Sequence, residues 1–284
     1  MTSRRLLITG LAAALPGCSA AGLFNTLAPR DAGGRRVATS VPYGAGPRRT
    51  LDVYAPSAAG VGRPLLVFTY GGSWDTGDKG IYPFVGTTFA AAGFVTVIPD
   101  YRLVPEVRFP GFVQDCAAAV RWAVDNAGRY GASADRLVLL GHSAGAYTTM
   151  MLTLDRRWLT GAGVPPERVR AAAGLAGPYD FYPFDVASSR NAFGAWPEPE
   201  QTQPITFARA DAPPVLLATG VGDTTVRPRN SYALAERLRA LGATAEVKTY
   251  PNVDHVGLVL ALSRLFRGRA PVLRDVLEFV RRHV

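Results

Sequence analysis

The sequence predicts one α/β domain built on a mainly parallel sheet, and two patterns support this prediction. Short runs of uninterrupted apolar residues, typical of strands covered on both faces, alternate with segments whose apolar residues recur at helical spacing. No linker divides the 284 residues, of which 48% are hydrophobic and 19% charged, so a large core can be buried. Strands that alternate with helices form βαβ units, whose strands run parallel.

Seven segments are predicted as strands. The segment 49–54 alternates polar and apolar residues, as a half-buried strand does. Because the first strands precede any predicted helix, we expect an antiparallel hairpin at that edge of the sheet. The remaining strands are predicted at 64–70, 94–98, 136–140, 169–175, 214–219 and 245–250.

Four segments are predicted as helices, and two of them end at a glycine, Gly131 or Gly242. Cys116 lies in the first of them, where a small buried hydrophobe is its expected role. The four helices are predicted at 109–130, 143–154, 231–241 and 272–282.

The stretch 179–213 interrupts the alternation of strands and helices with several prolines and seven aromatic residues. A long aromatic-rich insertion is more often functional than inert. Two interpretations stay open: the insertion covers a pocket and favours an apolar or aromatic ligand, or its aromatic residues form a small cap that packs on itself.

Ser143 is the candidate nucleophile. Residues 141–145 read Gly-His-Ser-Ala-Gly and fit the pattern G-x-S-x-G, which alone is weak evidence because chance gives roughly 0.1 such match here. The pattern gains weight from its position between the strand 136–140 and the helix 143–154. A sharp turn there presents the serine hydroxyl above the sheet edge, at the positive end of the helix dipole.

A serine nucleophile needs a general base, and the chain has three histidines. His142 is adjacent to Ser143 and poorly placed to take its proton. His283 is the second residue from the C-terminus, where fraying is expected. His255 remains, in a loop after the strand 245–250, and it is the predicted base.

An acid should orient that imidazole, and in this kind of site the chain order is serine, then acid, then histidine. Asp223 follows the strand 214–219 and precedes His255, so it is the predicted acid. Asp211 comes before that strand and is less well placed. Asp254 adjoins His255, and neighbouring side chains in an extended loop usually diverge.

An oxyanion hole is also required, since stabilisation of the tetrahedral intermediate is usually the largest catalytic effect. One donor should be the backbone N–H of Ala144, the residue after the nucleophile. The other should come from the loop 70–74, where Gly71 and Gly72 allow N–H groups to turn toward a substrate. The alternative for this loop is a plain tight turn.

From about residue 45 to the C-terminus the chain resembles the α/β-hydrolases, in the bacterial carboxylesterase branch close to feruloyl-esterase-like and hormone-sensitive-lipase-like enzymes. Tyr-Gly-Gly-Ser-Trp at 70–74 is similar to the H-G-G-x-W loop of that branch, and Asp-Tyr-Arg-Leu-Val-Pro-Glu at 100–106 to its D-Y-R-L-x-P-E segment. The strand and turn at 136–146 are the strongest match. Tyr70 stands where the branch has a histidine that holds the loop.

The resemblance implies a mostly parallel eight-stranded sheet flanked by helices, with 179–213 as a small cap insertion. It also implies that Gly72 and Ser73 supply oxyanion N–H groups together with Ala144. Asp100, Arg102 and Asp115 are then structural residues rather than catalytic ones.

The activity that the resemblance implies is hydrolysis of carboxylic esters of small or aromatic substrates through an acyl-enzyme intermediate. An arylformamidase-like amide hydrolase is one alternative, because those enzymes share the loop and the triad. A non-catalytic surface lipoprotein that retains the fold is another, although all three triad residues are present.

A small-molecule ester is the expected partner, without a cofactor or metal. The metalloprotease pattern H-E-x-x-H, a phosphate loop and a dinucleotide fingerprint are all absent from the sequence. The net charge of +9 comes from 29 scattered arginines and two lysines, with no basic run longer than two residues. A nucleic-acid binder needs a contiguous basic surface, so nucleic acid is not an expected partner.

Residues 1–35 are predicted to be a signal peptide and tether, preceding a hydrolase domain at 36–284. Arg4 and Arg5 precede an apolar stretch that is too short to span a membrane, and they resemble a twin-arginine signal. We therefore expect export to the periplasm or attachment to a membrane as a bacterial lipoprotein.

Cys18 is the candidate lipidation site. Leu-Pro-Gly-Cys at 15–18 resembles a lipobox, although Pro16 departs from the usual small or aliphatic residue. The rival expectation is cleavage near Ala21, which would release a soluble exported protein.

If Cys18 is lipidated, radiolabelled palmitate should be incorporated into the wild-type chain and not into a Cys18→Ser variant. The thiol is the predicted point of attachment, and the two proteins should also differ in membrane association. Absence of label in the wild type, with the variant fractionating like the wild type, would contradict this prediction.

Overall fold

The computed structural model describes residues 29–284 as an eight-stranded sheet with helices on both faces. The strands in chain order are β1 (Gly34–Pro42), β2 (Thr50–Pro56), β3 (Arg63–Thr69), β4 (Val95–Pro99), β5 (Ala132–His142), β6 (Val169–Leu175), β7 (Val215–Gly220) and β8 (Ala245–Tyr250).

The spatial order of the strands is β1-β2-β4-β3-β5-β6-β7-β8. The pairs β1–β2 and β2–β4 are antiparallel, and all other neighbours are parallel. This architecture confirms the predicted fold class. The expected antiparallel edge is present, but its hairpin joins β1 and β2 rather than the first two predicted strands, since β4 lies between β2 and β3. β1 itself was not among the predicted strands, because most of its residues are exposed and the apolar alternation is weak.

The described helices include the four that were predicted and four others. They are α1 (Pro83–Ala91), α2 (Gly111–Asn126), α3 (Ala144–Leu154), α4 (Arg156–Gly161), α5 (Ala187–Phe193), α6 (Arg229–Ala240), α7 (His255–Leu260) and α8 (Val272–Arg281). α1 was not predicted, because eight of its nine residues are buried and the helix has no amphipathic pattern. α4, α5 and α7 have six or seven residues, too few for a periodic pattern.

The core lies on both faces of the central strands. Side chains such as Leu66, Val138 and Leu216 are inaccessible to solvent, and all eleven residues of α3 are buried against the sheet. Cys116 is also buried and free, as expected. Among residues 29–284, no helix combines the length and apolar composition needed to cross a membrane.

The N-terminal part of the described chain is fastened to the domain. Asp31 forms an ion pair with Arg267 at 2.6 Å and accepts a hydrogen bond from Thr88. β1 begins at Gly34, so the domain boundary expected at residue 36 falls inside this strand. Cys18 and the predicted signal peptide lie outside the described residues.

Gly145 lies where α3 approaches β3 most closely. A Cβ atom at this position would lie 2.0 Å from the carbonyl oxygen of Thr69, closer than any real contact. Because the obstructing atom belongs to the backbone of a buried strand, the clash could be relieved only by moving the helix away from the sheet.

Gly145→Ala should therefore destabilise the protein by about 2 kcal/mol or more, as overpacking of a core does. An alanine in an exposed helix would instead stabilise by roughly 1 kcal/mol. Gly128→Ala is the matched control, since a Cβ there meets nothing within 4 Å. Urea unfolding measures both, and equal midpoints for the two variants would contradict the prediction.

Candidate active site

Ser143 lies on the sharp turn between β5 and α3. Its backbone adopts φ 55° and ψ −125°, a conformation that costs a non-glycine residue about 1–3 kcal/mol. Hydrogen bonds on both sides hold this conformation: the Ser143 N–H donates to Leu175 O at 2.8 Å, and Tyr147 N–H donates to Ser143 O at 3.0 Å. Strain that the surroundings maintain in this way is typical of functional residues.

The structure brings Ser143, His255 and Asp223 together in one hydrogen-bonded chain. His255 Nε2 lies 2.8 Å from Ser143 Oγ, and His255 Nδ1 lies 2.8 Å from Asp223 Oδ2. The Asp223 side chain is fully buried, whereas His255 remains slightly exposed. A neutral imidazole with its proton on Nδ1 can donate to the carboxylate and accept the serine proton at Nε2.

The carboxylate of Asp223 is held by its own loop. Its Oδ1 accepts hydrogen bonds from the N–H groups of Thr225 and Val226, both at 2.9 Å. The other oxygen is thereby directed at His255. This arrangement fixes both the orientation and the tautomer of the imidazole.

His255 was expected in a loop, and that expectation was wrong in detail: it is the first residue of the short helix α7. Asp254 caps this helix, because its Oδ1 accepts a hydrogen bond from Gly257 N–H at 2.6 Å. Asp211 forms ion pairs with Arg156 and Arg209 instead. Neither of these carboxylates forms a hydrogen bond with the His255 imidazole.

His142 has a role that the sequence did not reveal. Its Nε2–H donates to the carbonyl oxygen of His255 at 3.0 Å, and the two imidazole rings lie 4.9 Å apart. Burial, with a smaller contribution from the neighbouring His255, lowers the pKa of His142 to about 3. His142 is therefore a neutral positioning residue that holds the backbone of the candidate base.

The loop 70–74 contains three consecutive residues with positive φ, at Gly72, Ser73 and Trp74. A tight turn follows, in which the N–H groups of Asp75 and Thr76 donate to Gly72 O. A Cβ at Gly72 would lie 2.2 Å from the carbonyl oxygen of Thr76, so this position requires glycine. The loop is thus a tight turn, and it also borders the site.

Ser73 and Ala144 line the same cavity as Ser143. As the first residue of α3, Ala144 has an N–H without an acceptor inside the helix. The helix dipole adds positive potential at that end. The oxyanion role of Gly72, Ser73 and Ala144 stays a prediction.

Tyr70 stands where the bacterial carboxylesterase branch has a histidine, and its hydroxyl group holds the loop 70–74 in place. It donates to Asp100 Oδ1 at 2.8 Å and accepts from Arg48 at 3.0 Å. Lys79 pairs with the second oxygen of Asp100 at 2.7 Å, and Tyr101 donates to the Tyr70 carbonyl oxygen. Burial raises the pKa of Tyr70, so the phenol stays a donor.

Arg102 and Asp115 form a second structural pair below the site. The guanidinium donates two hydrogen bonds of 2.8 Å to the buried carboxylate, and the Arg102 backbone N–H donates a third. The structural roles expected for Asp100, Arg102 and Asp115 agree with these contacts, because none of the three touches the triad.

A cavity of about 540 Å³ opens beside Ser143, within the usual size range of small-molecule sites. The insertion contributes Phe181 to its wall, so part of the insertion does cover a pocket. Other aromatic rings of the insertion pack on one another: the ring of Phe184 lies 5.3 Å from that of Tyr182 and 5.7 Å from that of Phe193. The insertion therefore lines a pocket with some of its residues and packs on itself with others.

In the described part of the chain, no group of His, Cys, Asp and Glu side chains could hold a metal ion.

Because the pKa of His142 is lowered in the folded protein, we expect the free energy of unfolding to decrease in acid. Unfolding returns its pKa from about 3 to about 6.5, so the unfolded chain binds the extra proton between these values. The contribution of neutral His142 to the free energy of unfolding is therefore fully present above pH 6.5. It decreases as the pH drops toward 3, by up to about 1.4 kcal/mol per pH unit for one group.

His142→Gln removes this dependence. Urea unfolding of both proteins from pH 7.5 to pH 4.5 should show the wild type losing about 2.7 kcal/mol more than the variant over that range. The difference between them at pH 7.5 reports the loss of the imidazole, with its packing and its hydrogen bond, apart from the pH dependence. Parallel stability curves would mean that His142 is not kept neutral by the fold.

Comparison with known proteins finds a matching family model and several relatives that are esterases. Residues 51–238 match the BD-FAE family model. An isoprenylcysteine alpha-carbonyl methylesterase of Arabidopsis thaliana is 27% identical over 267 residues, which cover 87% of this chain and 62% of the plant protein. Esterase LipC of Mycobacterium tuberculosis is 28% identical over 274 residues, covering 84% and 67% of the two chains. The chain spans less than two thirds of the length of the plant methylesterases.

Solved structures agree on the fold. A truncated carbohydrate esterase from gut microbiota superimposes with a TM-score of 0.79 at 20% identity, over 90% of this chain and 99% of the other. Esterase B of Lactobacillus rhamnosis, inhibited by a tributyrin phosphonate, superimposes with a TM-score of 0.78 at 20% identity, over 92% and 91%. The eight-stranded sheet, the elbow at Ser143 and the family match across residues 51–238 lead to one conclusion: this protein has the α/β-hydrolase fold and belongs to the BD-FAE family.

Proposed function

We propose that the protein is a serine carboxylesterase that acts on esters small enough for a cavity of about 540 Å³. The observation that carries the proposal is the chain of two 2.8 Å hydrogen bonds from Ser143 through His255 to Asp223, beside that cavity. The BD-FAE match and the esterase relatives support the same reaction.

In the proposed mechanism, Ser143 Oγ attacks the ester carbonyl while His255 Nε2 takes the hydroxyl proton. Asp223 stabilises the imidazolium that forms. The N–H groups of Ala144 and of the loop at Gly72 and Ser73 would stabilise the oxyanion. Collapse of the tetrahedral intermediate expels the alcohol, which takes the proton from His255, and leaves an acyl-serine.

Deacylation repeats the same steps with water as the nucleophile. His255 takes a proton from the water, a second tetrahedral intermediate forms at the same N–H groups, and its collapse releases the acid. The proton then returns to Ser143. The same residues serve both halves of the cycle, so one preorganised site suffices.

We also propose that the domain works outside the cytoplasm, exported and attached to a membrane through Cys18. Support comes from the sequence pattern at 15–18 and from the paired arginines at positions 4 and 5.

The reaction is tested with p-nitrophenyl esters from acetate to dodecanoate. Wild-type protein should release p-nitrophenol with an optimum chain length that reports the size of the cavity, and Ser143→Ala should lose at least about 10³-fold in kcat. Formanilide in the same panel separates an ester hydrolase from an amide hydrolase. Unchanged activity of Ser143→Ala would show that another residue is the nucleophile.

The assignment of the acid is tested with a matched pair of variants. Asp223→Asn should lose about 10⁴-fold in kcat, because the amide favours the wrong imidazole tautomer. Asp254→Asn should change kcat little, since asparagine also caps helices well and this side chain faces Gly257. The opposite ranking of the two variants would overturn the assignment.

A further inference from the structure

Two arginines lie in the wall of the cavity, on the segment that follows β7. Arg227 and Arg229 both line the cavity that contains Ser143, and both are exposed to solvent. Within residues 29–284, neither guanidinium lies within 4.0 Å of a carboxylate. Arg102, by contrast, forms an ion pair with Asp115.

The backbone under these arginines is held in place by the site itself. The loop 221–228 carries Asp223, whose carboxylate binds two N–H groups of the same loop. Arg227 O accepts hydrogen bonds from the backbone and side chain of Asn230. Asn230 Oδ1 in turn accepts from the N–H groups of Tyr179 and Asp180, so the loop is tied to the insertion.

The charges that line the cavity are two guanidiniums and one carboxylate. Asp185, on the insertion, is also exposed and forms no ion pair among the described residues. The hydroxyl side chains of Ser188, Thr224 and Thr225 line the cavity as well. An exposed, unpaired guanidinium is a ready donor to a carboxylate, which its planar fork matches in two parallel hydrogen bonds.

We propose that the cavity selects esters that carry a second, anionic group, a carboxylate, bound at the rim by Arg227 and Arg229 while the ester carbonyl lies at Ser143. This specificity rests on the proposed esterase function and adds a substrate class to it. The aromatic wall at Phe181 then contacts the apolar part between the two groups.

The test compares anionic and neutral esters of matched size. Mono-4-nitrophenyl adipate is paired with 4-nitrophenyl hexanoate for a charge on the acyl side, and 4-acetoxybenzoate with phenyl acetate for a charge on the alcohol side. The wild type should show a higher kcat/KM for the anionic member of at least one pair, and this preference should weaken in 0.5 M NaCl because salt screens exposed charges.

Charge variants should move this preference in opposite directions. Arg227→Gln and Arg229→Gln should each lower the anionic-to-neutral ratio of kcat/KM by about two- to fivefold, as expected for exposed ion pairs. Asp185→Asn should raise the ratio. Arg237→Gln is the control, an exposed arginine on α6 that does not line the cavity, and its ratio should match the wild type.

The outcomes separate the two proposals. Hydrolysis of none of the four esters by the wild type would contradict the esterase function itself. Hydrolysis without a preference for either anionic ester, or with a preference that the Arg227 and Arg229 variants retain, would overturn the specificity and leave the esterase function intact.

Discussion

The close contact between the turn at Ser143 and the end of β3 is the constraint on which the site depends. The backbones meet so tightly that a Cβ at Gly145 would overlap Thr69 O, and a Cβ at Gly71 would lie 2.7 Å from Ser143 Cβ. This contact places the loop 70–74 beside the serine and supports the strained backbone at Ser143. The candidate nucleophile and the candidate oxyanion donors are thus positioned by one packing arrangement.

The topology of the sheet brings the base and the acid to the same place. β7 and β8 are parallel neighbours that end in register at Gly220 and Tyr250, and Asp223 and His255 follow shortly after. β6 separates them from the turn at Ser143, and Leu175 O at its end holds the Ser143 N–H. In open α/β sheets, sites form at the carboxyl ends of the strands for this reason.

The fold class and the residues that meet at the site could be predicted from sequence because their signals are local. A strand, a turn and a helix around Ser143, and an acid and a histidine after later strands, are enough to propose the triad. Local signals also mark the strands β3 to β7, which carry apolar runs, and β8, in which polar and apolar residues alternate.

Other features could not be predicted, because they depend on contacts between distant segments. The role of His142 requires knowing that the His255 carbonyl oxygen lies within hydrogen-bond distance of its Nε2. The buried helix α1 has no polar face to mark it, and the start of α7 depends on a cap by Asp254. The charged rim of the cavity exists only where the insertion and the loop after β7 meet.

The most direct test of this account is covalent labelling of the folded protein with an activated phosphonate ester, followed by peptide mass spectrometry. The strained, hydrogen-bonded hydroxyl of Ser143 should react as the single activated serine, so the account predicts one adduct per chain, on the peptide that contains Ser143. Protein that is folded by circular dichroism but unlabelled, or labelled on a different serine, would contradict it.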